Sequence, residues 1–183
     1  MKQTIEFENL NIKHQSEVIS IFNYYVENTY AAYLEKRVPD AFFGNLLEMT
    51  KGYPAYVVKM NEKVIGFCFL RAYNPFPAFR ESAEITYFID KDYSGKGIGK
   101  IILDKIEEDA KEKGICNILA SITSLNINSL KFHKKNGFIE CGKFPEIGKK
   151  FGKAFDIIWM IKKFNKLEST VRQCNGSDSR PEK

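Results

Sequence analysis

The sequence predicts a single α/β domain with a mixed sheet flanked by helices. Its 183 residues suit one domain with a full hydrophobic core. Apolar residues alternate along some segments and recur at helical spacing along others, so strands and helices are interleaved. A glycine-rich run between an apolar segment and an amphipathic one marks a strand-to-helix connection in the middle of the chain. The predicted order of elements is βααβββαβαββ, over a domain that spans residues 1–165.

The first half of the chain contains the first six predicted elements. Helical spacing of Val18, Ile21 and Val26 predicts the first helix, and Pro39 stands near the start of the second. The short polar segment 61–63 separates two apolar runs and predicts a hairpin. The predicted strands are Ile5–Leu10, Ala55–Met60, Val64–Tyr73 and Ser82–Ile89, and the predicted helices are Lys13–Asn28 and Asp40–Thr50.

The second half contains two helices and three strands. Gly114 and Gly137 are expected to end the helices, because glycine is favoured just past a helix C-terminus. Gly148 and Gly152 are expected in a loop between the last two strands. Residues 166–183 lose almost all apolar side chains and predict a disordered tail. The predicted helices are Ile98–Lys113 and Asn126–Asn136, and the predicted strands are Asn117–Ile122, Phe138–Phe144 and Ala154–Phe164.

The composition favours a cytoplasmic protein that binds neither nucleic acid nor a membrane. The net charge of +5 is modest, and the lysines match no known nucleic-acid-binding signature, so we expect them to form solvated surface. No apolar run is long enough to cross a bilayer, and the N-terminus opens into strand-like sequence rather than a signal peptide.

The cysteines predict buried free thiols in a reducing compartment rather than a disulfide framework. No C-x-x-C pair occurs, and three of the four lie in or beside predicted strands. His14 and His133 are the only histidines, and neither neighbours a cysteine pair, so no metal site is expected. The cysteines are Cys68, Cys116, Cys141 and Cys174.

The glycine-rich run Gly95-Lys96-Gly97-Ile98-Gly99-Lys100 predicts a binding site for a phosphate or pyrophosphate. Backbone N–H groups of such a loop converge at a helix N-terminus, which carries partial positive charge, and the two lysines add full charges. The spacing excludes a dinucleotide fingerprint, because the third glycine would fall on Lys100, and no window fits a P-loop. The alternative is a glycine turn that only permits a sharp connection.

Together with this loop, the element order resembles that of the Gcn5-related N-acetyltransferase (GNAT) superfamily. The family's cofactor loop reads roughly [QR]-x-x-G-x-[GA], and the run Ser94–Gly99 matches both glycines, with Ser94 in place of Gln or Arg. The segment Asn126–Phe138 resembles the second family signature, an Asn followed by a helix and Gly-Phe. The resemblance implies a single-domain fold with a mixed, mostly antiparallel sheet flanked by helices.

A closer resemblance is to the phosphinothricin acetyltransferase branch. The matching segments are Ile21–Thr29, Pro75–Arg80 followed by Ala83–Ile89, and Lys150–Asp156, which is near a K-x-G-x-W-x-D pattern. The resemblance implies transfer of an acetyl group from acetyl-CoA to the amine of a small molecule, by direct transfer in a ternary complex, and a homodimer. A protein or peptide acetyltransferase and a non-catalytic CoA-binding domain remain the alternatives.

The resemblance also implies the residues that hold acetyl-CoA. The end of the fourth strand is expected to splay from its neighbour and to offer backbone groups to the pantetheine and the acetyl carbonyl. The glycine loop would hold the pyrophosphate, Asn126 would bond to the pantetheine arm, and Lys135 would reach the CoA phosphates. The expected cofactor-binding residues are Tyr87, Phe88, Ile89, Gly95, Lys96, Gly97, Ile98, Gly99, Lys100, Asn126 and Lys135.

Two residues are candidates for acid–base catalysis. Glu84 matches the acidic position of the branch and is the expected base that deprotonates the amine; the alternative is a salt bridge with Arg80 or a nearby lysine. His133 stands seven residues after Asn126, where it is expected to act as the acid, to contact CoA, or only to pack. Cys68 lies in an apolar strand and is expected to be buried rather than nucleophilic.

Four residues are expected to select the substrate, namely Tyr30, Phe76, Arg80 and Phe155. Arg80 is a candidate partner for a substrate carboxylate, and the alternative is a surface ion pair with Glu81 or Glu84. Phe76 lies in a loop where the branch often carries arginine, which favours a larger or more apolar amine than phosphinothricin.

Overall fold

A computed structural model describes residues 4–164 of the chain and shows seven strands in one sheet with four α-helices. The strands are β1 (Ile5–Asn9), β2 (Ala55–Met60), β3 (Lys63–Ala72), β4 (Ser82–Ile89), β5 (Asn117–Thr123), β6 (Ile139–Lys150) and β7 (Lys153–Lys163). The helices are α1 (Gln15–Asn28), α2 (Phe43–Met49), α3 (Ile98–Glu112) and α4 (Ile127–Lys135). This confirms the predicted order βααβββαβαββ. The predicted disordered tail, residues 166–183, lies outside the described residues.

The sheet has the order β1-β2-β3-β4-β5-β7-β6. Of the pairings between described strands, β4 with β5 is parallel and the others are antiparallel, which confirms a mixed, mostly antiparallel sheet. A parallel pair needs a crossover connection, and α3 supplies it between β4 and β5. No helix among residues 4–164 is both long and apolar enough to cross a membrane.

The two faces of the sheet bury different sets of side chains. Alternation along β4 directs Ala83 and Ile85 into the core that α3 fills with Ile102 and Ile106. Phe88 points the other way, into the core beneath α1 and α2. The polar side chains of Glu84 and Thr86 therefore lie on the same face of β4 as Phe88, the face against which α1 and α2 pack.

The first two helices begin later than predicted. Residues Ile12–His14 and Asp40–Phe42 form short 3-10 turns that lead into α1 and α2. The Asn11 side chain accepts a hydrogen bond from the Lys13 N–H, so the chain turns before the α-helical pattern starts.

The last two strands differ most from the prediction. The predicted strand Phe138–Phe144 is confirmed but too short, and the loop predicted after it is wrong up to Lys150. Strand β6 continues to Lys150 and turns sharply at Phe151-Gly152 into β7. Pro145 is tolerated because β6 is an edge strand, where one N–H needs no partner. A bulge between Phe144 and Gly148 absorbs the extra residues.

Asp156 stabilises this bulge from β7. Its carboxylate accepts a hydrogen bond from the Glu146 N–H at 2.8 Å and forms an ion pair with Lys143 at 2.7 Å. The bond from Lys143, followed by the one from Glu146, lowers the pKa of Asp156. The aspartate of the closing motif thus holds the long hairpin in register.

The expectation of buried thiols holds for one of the three cysteines that the structure describes. Cys68 is buried, and burial raises the pKa of its thiol. Cys116 is half-buried and Cys141 is exposed, so for these two the prediction of burial was wrong. All three are free.

Candidate active site

Strands β4 and β5 separate after a short parallel pairing. They pair from Ser82 with Asn117 to Glu84 with Leu119, while β4 continues to Ile89 and β5 to Thr123. We call the space between residues 85–89 and residues 120–123 the β4–β5 fork. Its closed end lies at Glu84. The predicted separation of the end of β4 from its neighbour is confirmed.

The hydrogen-bond pattern shows which backbone groups face the fork. The Asp90 N–H donates to the Ile65 carbonyl at 2.7 Å, and the Tyr73 N–H donates to the Ser82 carbonyl at 3.4 Å. In an antiparallel pair, bonded positions alternate along the strand. Even-numbered residues of β4 therefore bond to β3, and odd-numbered residues direct their N–H and carbonyl groups toward β5.

Of the three residues predicted to offer backbone groups, Tyr87 and Ile89 face the fork and Phe88 does not. The polar backbone groups of Phe88 face β3, opposite Phe67. Its side chain is buried beneath α1, so the expectation of a backbone contact from Phe88 was wrong. The Ile89 carbonyl accepts a hydrogen bond from the Tyr25 hydroxyl. The N–H of Tyr87 is therefore best placed to bond to a carbonyl oxygen in the fork.

The glycine loop lies at the open end of the fork, since it connects the end of β4 to α3. Gly95 and Gly97 have φ of +74° and +83°, a region that other residues rarely adopt, and Gly97 caps α3. Lys96 lies over the Tyr93 ring, with 5.4 Å from Nζ to the ring centroid. Lys100 is ion-paired with Asp104, one helical turn on, so its charge is partly neutralised.

Two further loop residues pack into the protein. Ile98 is buried in the core, so only its backbone is available to a ligand. An ideal Cβ on Gly99 would lie 3.4 Å from the Phe132 ring, so glycine here lets α3 approach α4 closely. At these two positions the loop can offer a ligand only its backbone groups.

Asn126 and Lys135 stand at opposite ends of α4. The Asn126 Oδ1 caps the helix by accepting from the Ser129 N–H at 3.2 Å. Because α4 follows the open end of β5, this cap lies near the fork. Lys135 is exposed in the last turn, about 13 Å along the helix axis from the cap.

His133 is buried and reaches the fork only through Tyr87. Its Nδ1 donates to the Ser129 carbonyl at 2.8 Å, so Nε2 is left to accept from the Tyr87 hydroxyl at 3.4 Å. Burial lowers the pKa of His133, which keeps the ring neutral near pH 7. Only 2% of the residue is exposed, so the ring does not contact solvent or a ligand directly.

Glu84 stands where β4 and β5 begin to part, on the face beneath the α1–α2 side. Its Oε2 accepts a hydrogen bond from Arg71 Nη2 at 2.6 Å. The sequence analysis named Arg80 as an alternative salt-bridge partner of Glu84, and this was wrong. The partner is Arg71, which lies directly opposite on β3. Burial raises the pKa of Glu84, and the positive charge of Arg71 opposes this shift without cancelling it.

An aromatic wall stands beside Glu84. Tyr33 stacks on Phe155 with 6.2 Å between ring centroids, and Tyr30 contacts the same ring at 6.5 Å. The Tyr33 hydroxyl donates to the Ser121 carbonyl at 2.9 Å. Burial, with a smaller contribution from the negative charge of Glu84, raises the pKa of Tyr33. The structure thus brings the predicted Tyr30 and Phe155 together. It also adds Tyr33, which no sequence motif indicated.

Lys150 joins the two segments that build this wall. Its Nζ donates to the carbonyls of Thr29 and Ala32, at 2.7 Å each, and only 1% of the residue is exposed. Burial lowers the pKa of Lys150. At Gly148 an ideal Cβ would lie 2.3 Å from the Phe155 ring, so only glycine lets that ring lie against β6.

The other two predicted substrate residues, Phe76 and Arg80, lie on the exposed loop between β3 and β4. Phe76 is 68% exposed, and Arg80 donates to the Pro77 carbonyl at 3.3 Å. Tyr73, which is 42% exposed, contacts Trp159 edge-on, with 6.0 Å between the ring centroids. Among residues 4–164 there is no group of three or more His, Cys, Asp or Glu side chains arranged to hold a metal ion.

Comparison with known proteins agrees with this geometry. Residues 18–138 match the model of the acetyltransferase (GNAT) family. The chain is 32% identical over 109 residues to the L-amino acid N-acyltransferase MnaT of Escherichia coli (strain K12), covering 60% of this chain and 63% of that protein. With the L-methionine sulfoximine/L-methionine sulfone acetyltransferase of Pseudomonas aeruginosa it shares 31% identity over 148 residues, covering 78% and 85%.

A solved structure that contains acetyl-CoA has a similar fold. The structure of yncA from Salmonella typhimurium, with its cofactor acetyl-CoA, superposes with a TM-score of 0.83 at 25% identity. The superposition covers 92% of this chain and 98% of that one.

Proposed function

This chain belongs to the acetyltransferase (GNAT) family and is an acyltransferase, and we propose that it acetylates the primary amine of a small, amino-acid-like molecule. The observation that carries the proposal is the position of Glu84 at the closed end of the β4–β5 fork. The fork offers backbone groups to a thioester on one side, and Glu84 offers a carboxylate to an amine on the other. An acetyl donor and an amine would meet there.

The open end of the fork suits acetyl-CoA. The N–H groups of the glycine loop at the start of α3 would bind the pyrophosphate. The N–H of Tyr87 would bond to the carbonyl oxygen of the thioester and make its carbon more electrophilic. Ser94 takes the place of the usual Gln or Arg, so this site would bind through its backbone, assisted by the charge of Lys96.

The closed end suits proton removal from the amine. At pH 7 a primary amine is mostly present as its ammonium ion. The ammonium ion cannot attack a carbonyl until it loses a proton. Glu84 would take that proton, directly or through water, and its raised pKa makes it a stronger base than an exposed glutamate. The neutral nitrogen then attacks the thioester carbon in a ternary complex. As the C–S bond breaks, the CoA thiolate leaves and takes up, through water, the proton that the nitrogen loses on becoming an amide.

In this proposal His133 would position Tyr87 rather than contact the reacting atoms, and its burial supports that role. Its neutral ring accepts the hydrogen bond of the Tyr87 hydroxyl and so fixes that side chain beside the fork.

The relatives and the aromatic wall both favour an amino-acid-like amine. Two relatives are named for action on L-amino acids and on L-methionine sulfoximine or L-methionine sulfone. In this chain the rings of Tyr30, Tyr33 and Phe155 would pack against an apolar side chain.

An amine panel with detection of free CoA thiol tests the proposal. It would contain L-methionine, methionine sulfoximine, phosphinothricin, larger apolar L-amino acids, polyamines and short peptides. We expect amino acids or their analogues to release thiol well above the background hydrolysis of acetyl-CoA. If acetyl-CoA binds and no amine accelerates thiol release, the proposed activity is wrong; if peptides are preferred, the protein is a peptide acetyltransferase.

We also propose that the domain, residues 1–165, acts as a homodimer in the cytoplasm. Edge strand β6 exposes Ile139, Phe144 and Ile147, which are 63%, 50% and 61% exposed. An apolar row on an edge strand is a common site of association between chains. A monomeric mass by light scattering would contradict the dimer.

A further inference from the structure

Arg71 and Glu84 form a pair whose geometry leaves part of the arginine unused. One guanidinium nitrogen, Nη2, contacts one carboxylate oxygen, Oε2, at 2.6 Å. The side chain of Arg71 is 39% exposed and that of Glu84 is 13% exposed. An arginine has five N–H donors in a planar fork, so Arg71 keeps donors that can bind a second, incoming carboxylate.

The pair lies on the side of the sheet where the amine must bind. Arg71 and Glu84 are paired across β3 and β4, so their side chains share one face. Ser121, which accepts the Tyr33 hydrogen bond, lies on the same face of β5. The positive charge of Arg71 and the base are therefore neighbours, and the aromatic wall stands beside both.

We propose that Arg71 anchors the carboxylate of the substrate, so that the substrate is an α-amino acid rather than a simple amine. The inference rests on the proposed function and names its substrate class. In an α-amino acid the amine and the carboxylate are bonded to the same carbon. The two groups would meet Glu84 and Arg71 together, and a planar carboxylate can form a bidentate contact with the free edge of the guanidinium.

Arg80 is the natural comparison, because it was the arginine expected to bind a carboxylate. It lies on the exposed loop and bonds to the Pro77 carbonyl of its own turn, not to Glu84. An anchor must hold the carboxylate while the amine lies beside the base, and Arg71 has that proximity by strand pairing.

The test compares Arg71→Gln with Arg80→Gln on two substrates that differ only in the carboxyl group, such as L-methionine and 3-(methylthio)propylamine. Because the loss of Arg71 also changes the surroundings of Glu84, both substrates should lose some activity, and we expect Arg71→Gln to lower kcat/KM at least about 10-fold more for the amino acid than for the amine. Arg80→Gln should change neither by more than about threefold. Arg71→Lys should restore only part of the loss, because lysine lacks the bidentate geometry.

Two outcomes would overturn the proposal. An equal fall for both substrates would mean that Arg71 only orients Glu84, and retained turnover of the amine serves as the control for folding. A loss of discrimination in Arg80→Gln would assign the anchor to the loop. Titration of L-methionine into the enzyme–CoA complex of each variant measures carboxylate binding without turnover. This measurement separates failure of the anchor from failure of the proposed activity.

Discussion

The open and closed ends of the β4–β5 fork are built in different ways. At the open end, the candidate cofactor site consists of backbone groups from Gly95 to Gly99 and from Tyr87, and its side chains mostly pack or form local ion pairs. At the closed end, side chains make the site: Arg71, Glu84 and Tyr33 contact one another or lie close together. A backbone site tolerates changes of side chain, as Ser94 illustrates, whereas the other end derives its specificity from individual residues.

The two ends also differ in how the chain assembles them. The loop at the open end is one continuous stretch, which begins where β4 stops and ends where α3 starts. The closed end draws on β3, β4, β5, β7 and the connection between α1 and α2. Substitutions at the open end should therefore weaken acetyl-CoA binding. Substitutions at the closed end should instead slow the chemical step or weaken amine binding.

The largest expected effect is on chemistry at the closed end. Replacing Glu84 with Gln should lower kcat by about 100-fold or more, because the amine loses its proton acceptor. Binding of acetyl-CoA should be unchanged, since the carboxylate lies away from the loop. Steady-state kinetics with thiol detection and calorimetric titration of acetyl-CoA measure the two quantities.

The pH profile gives the same prediction a direction. Glu84 accepts a proton only as a carboxylate, so activity should fall as the pH drops through its pKa in the folded enzyme. Burial raises that pKa, so the fall should begin at a higher pH than for an exposed glutamate. The acid limb should vanish in Glu84→Gln and persist in Glu6→Gln, an exposed control on β1. An unchanged pH–activity profile in Glu84→Gln would contradict the assignment of Glu84 as the base.

The next effect is on the open end. Replacing Gly97 with Val places a β-branched residue at φ of +83° at the start of α3. We expect affinity for acetyl-CoA to fall at least about 30-fold, because the N–H groups at the helix start would be displaced. Isothermal titration measures the change.

Gly52→Val is the matched control, since Gly52 has φ of +82° and open space around it, in the turn after α2. Both variants should lose similar stability, about 1–2 kcal/mol by thermal denaturation. Only Gly97→Val should lose acetyl-CoA. Equal affinities in the two variants would mean that the loop is a simple turn.

The smallest effect is on the wall of the closed end. Replacing Lys150 with Met leaves the carbonyls of Thr29 and Ala32 without their donor, which should cost about 2 kcal/mol of stability. The loop that carries Tyr30 and Tyr33 would then lose its connection to the hairpin. KM for the amine should rise about tenfold, with kcat changed by less than about threefold.

Lys149→Met controls for the loss of a charge at the neighbouring, exposed position. It should leave KM, kcat and the melting temperature unchanged. In Lys150→Met, a fall in kcat as large as the rise in KM would contradict the prediction. It would mean that the aromatic wall contributes to the chemical step, as the base does, and not only to amine binding.

The contrast between a continuous loop and a site assembled from distant strands also explains which residues could be predicted from the sequence. The glycine loop was predicted from its spacing, and Glu84 and Asn126 were predicted from the resemblance to the GNAT family, because each belongs to a continuous stretch of sequence. Arg71 was missed because its partner is 13 residues away and faces it only through the register of β3 and β4. Lys150 was part of a recognised motif, but its two acceptors lie 121 and 118 residues earlier in the chain.

One error in the fold has a local physical cause, and so does the burial of His133. Pro145 and Gly148 are typical of loops, yet β6 continues through both because an edge strand tolerates a proline and a bulge absorbs the extra residues. The His133 ring carries a group suited to acid catalysis, but contact with Phe138 at 4.8 Å between ring centroids buries it. Burial depends on tertiary packing, which helical spacing does not report.

The short parallel pairing at Ser82–Glu84 has a mechanical meaning for the whole sheet. Strands β1–β4 form one half-sheet and β5–β7 another, and three residue pairs join them. A molecule that forms hydrogen bonds with β4 within the β4–β5 fork would supply the edge contacts that β5 does not make there. The enzyme would then be a sheet that its own co-substrate completes, stiffest when loaded and more compliant along this seam when empty.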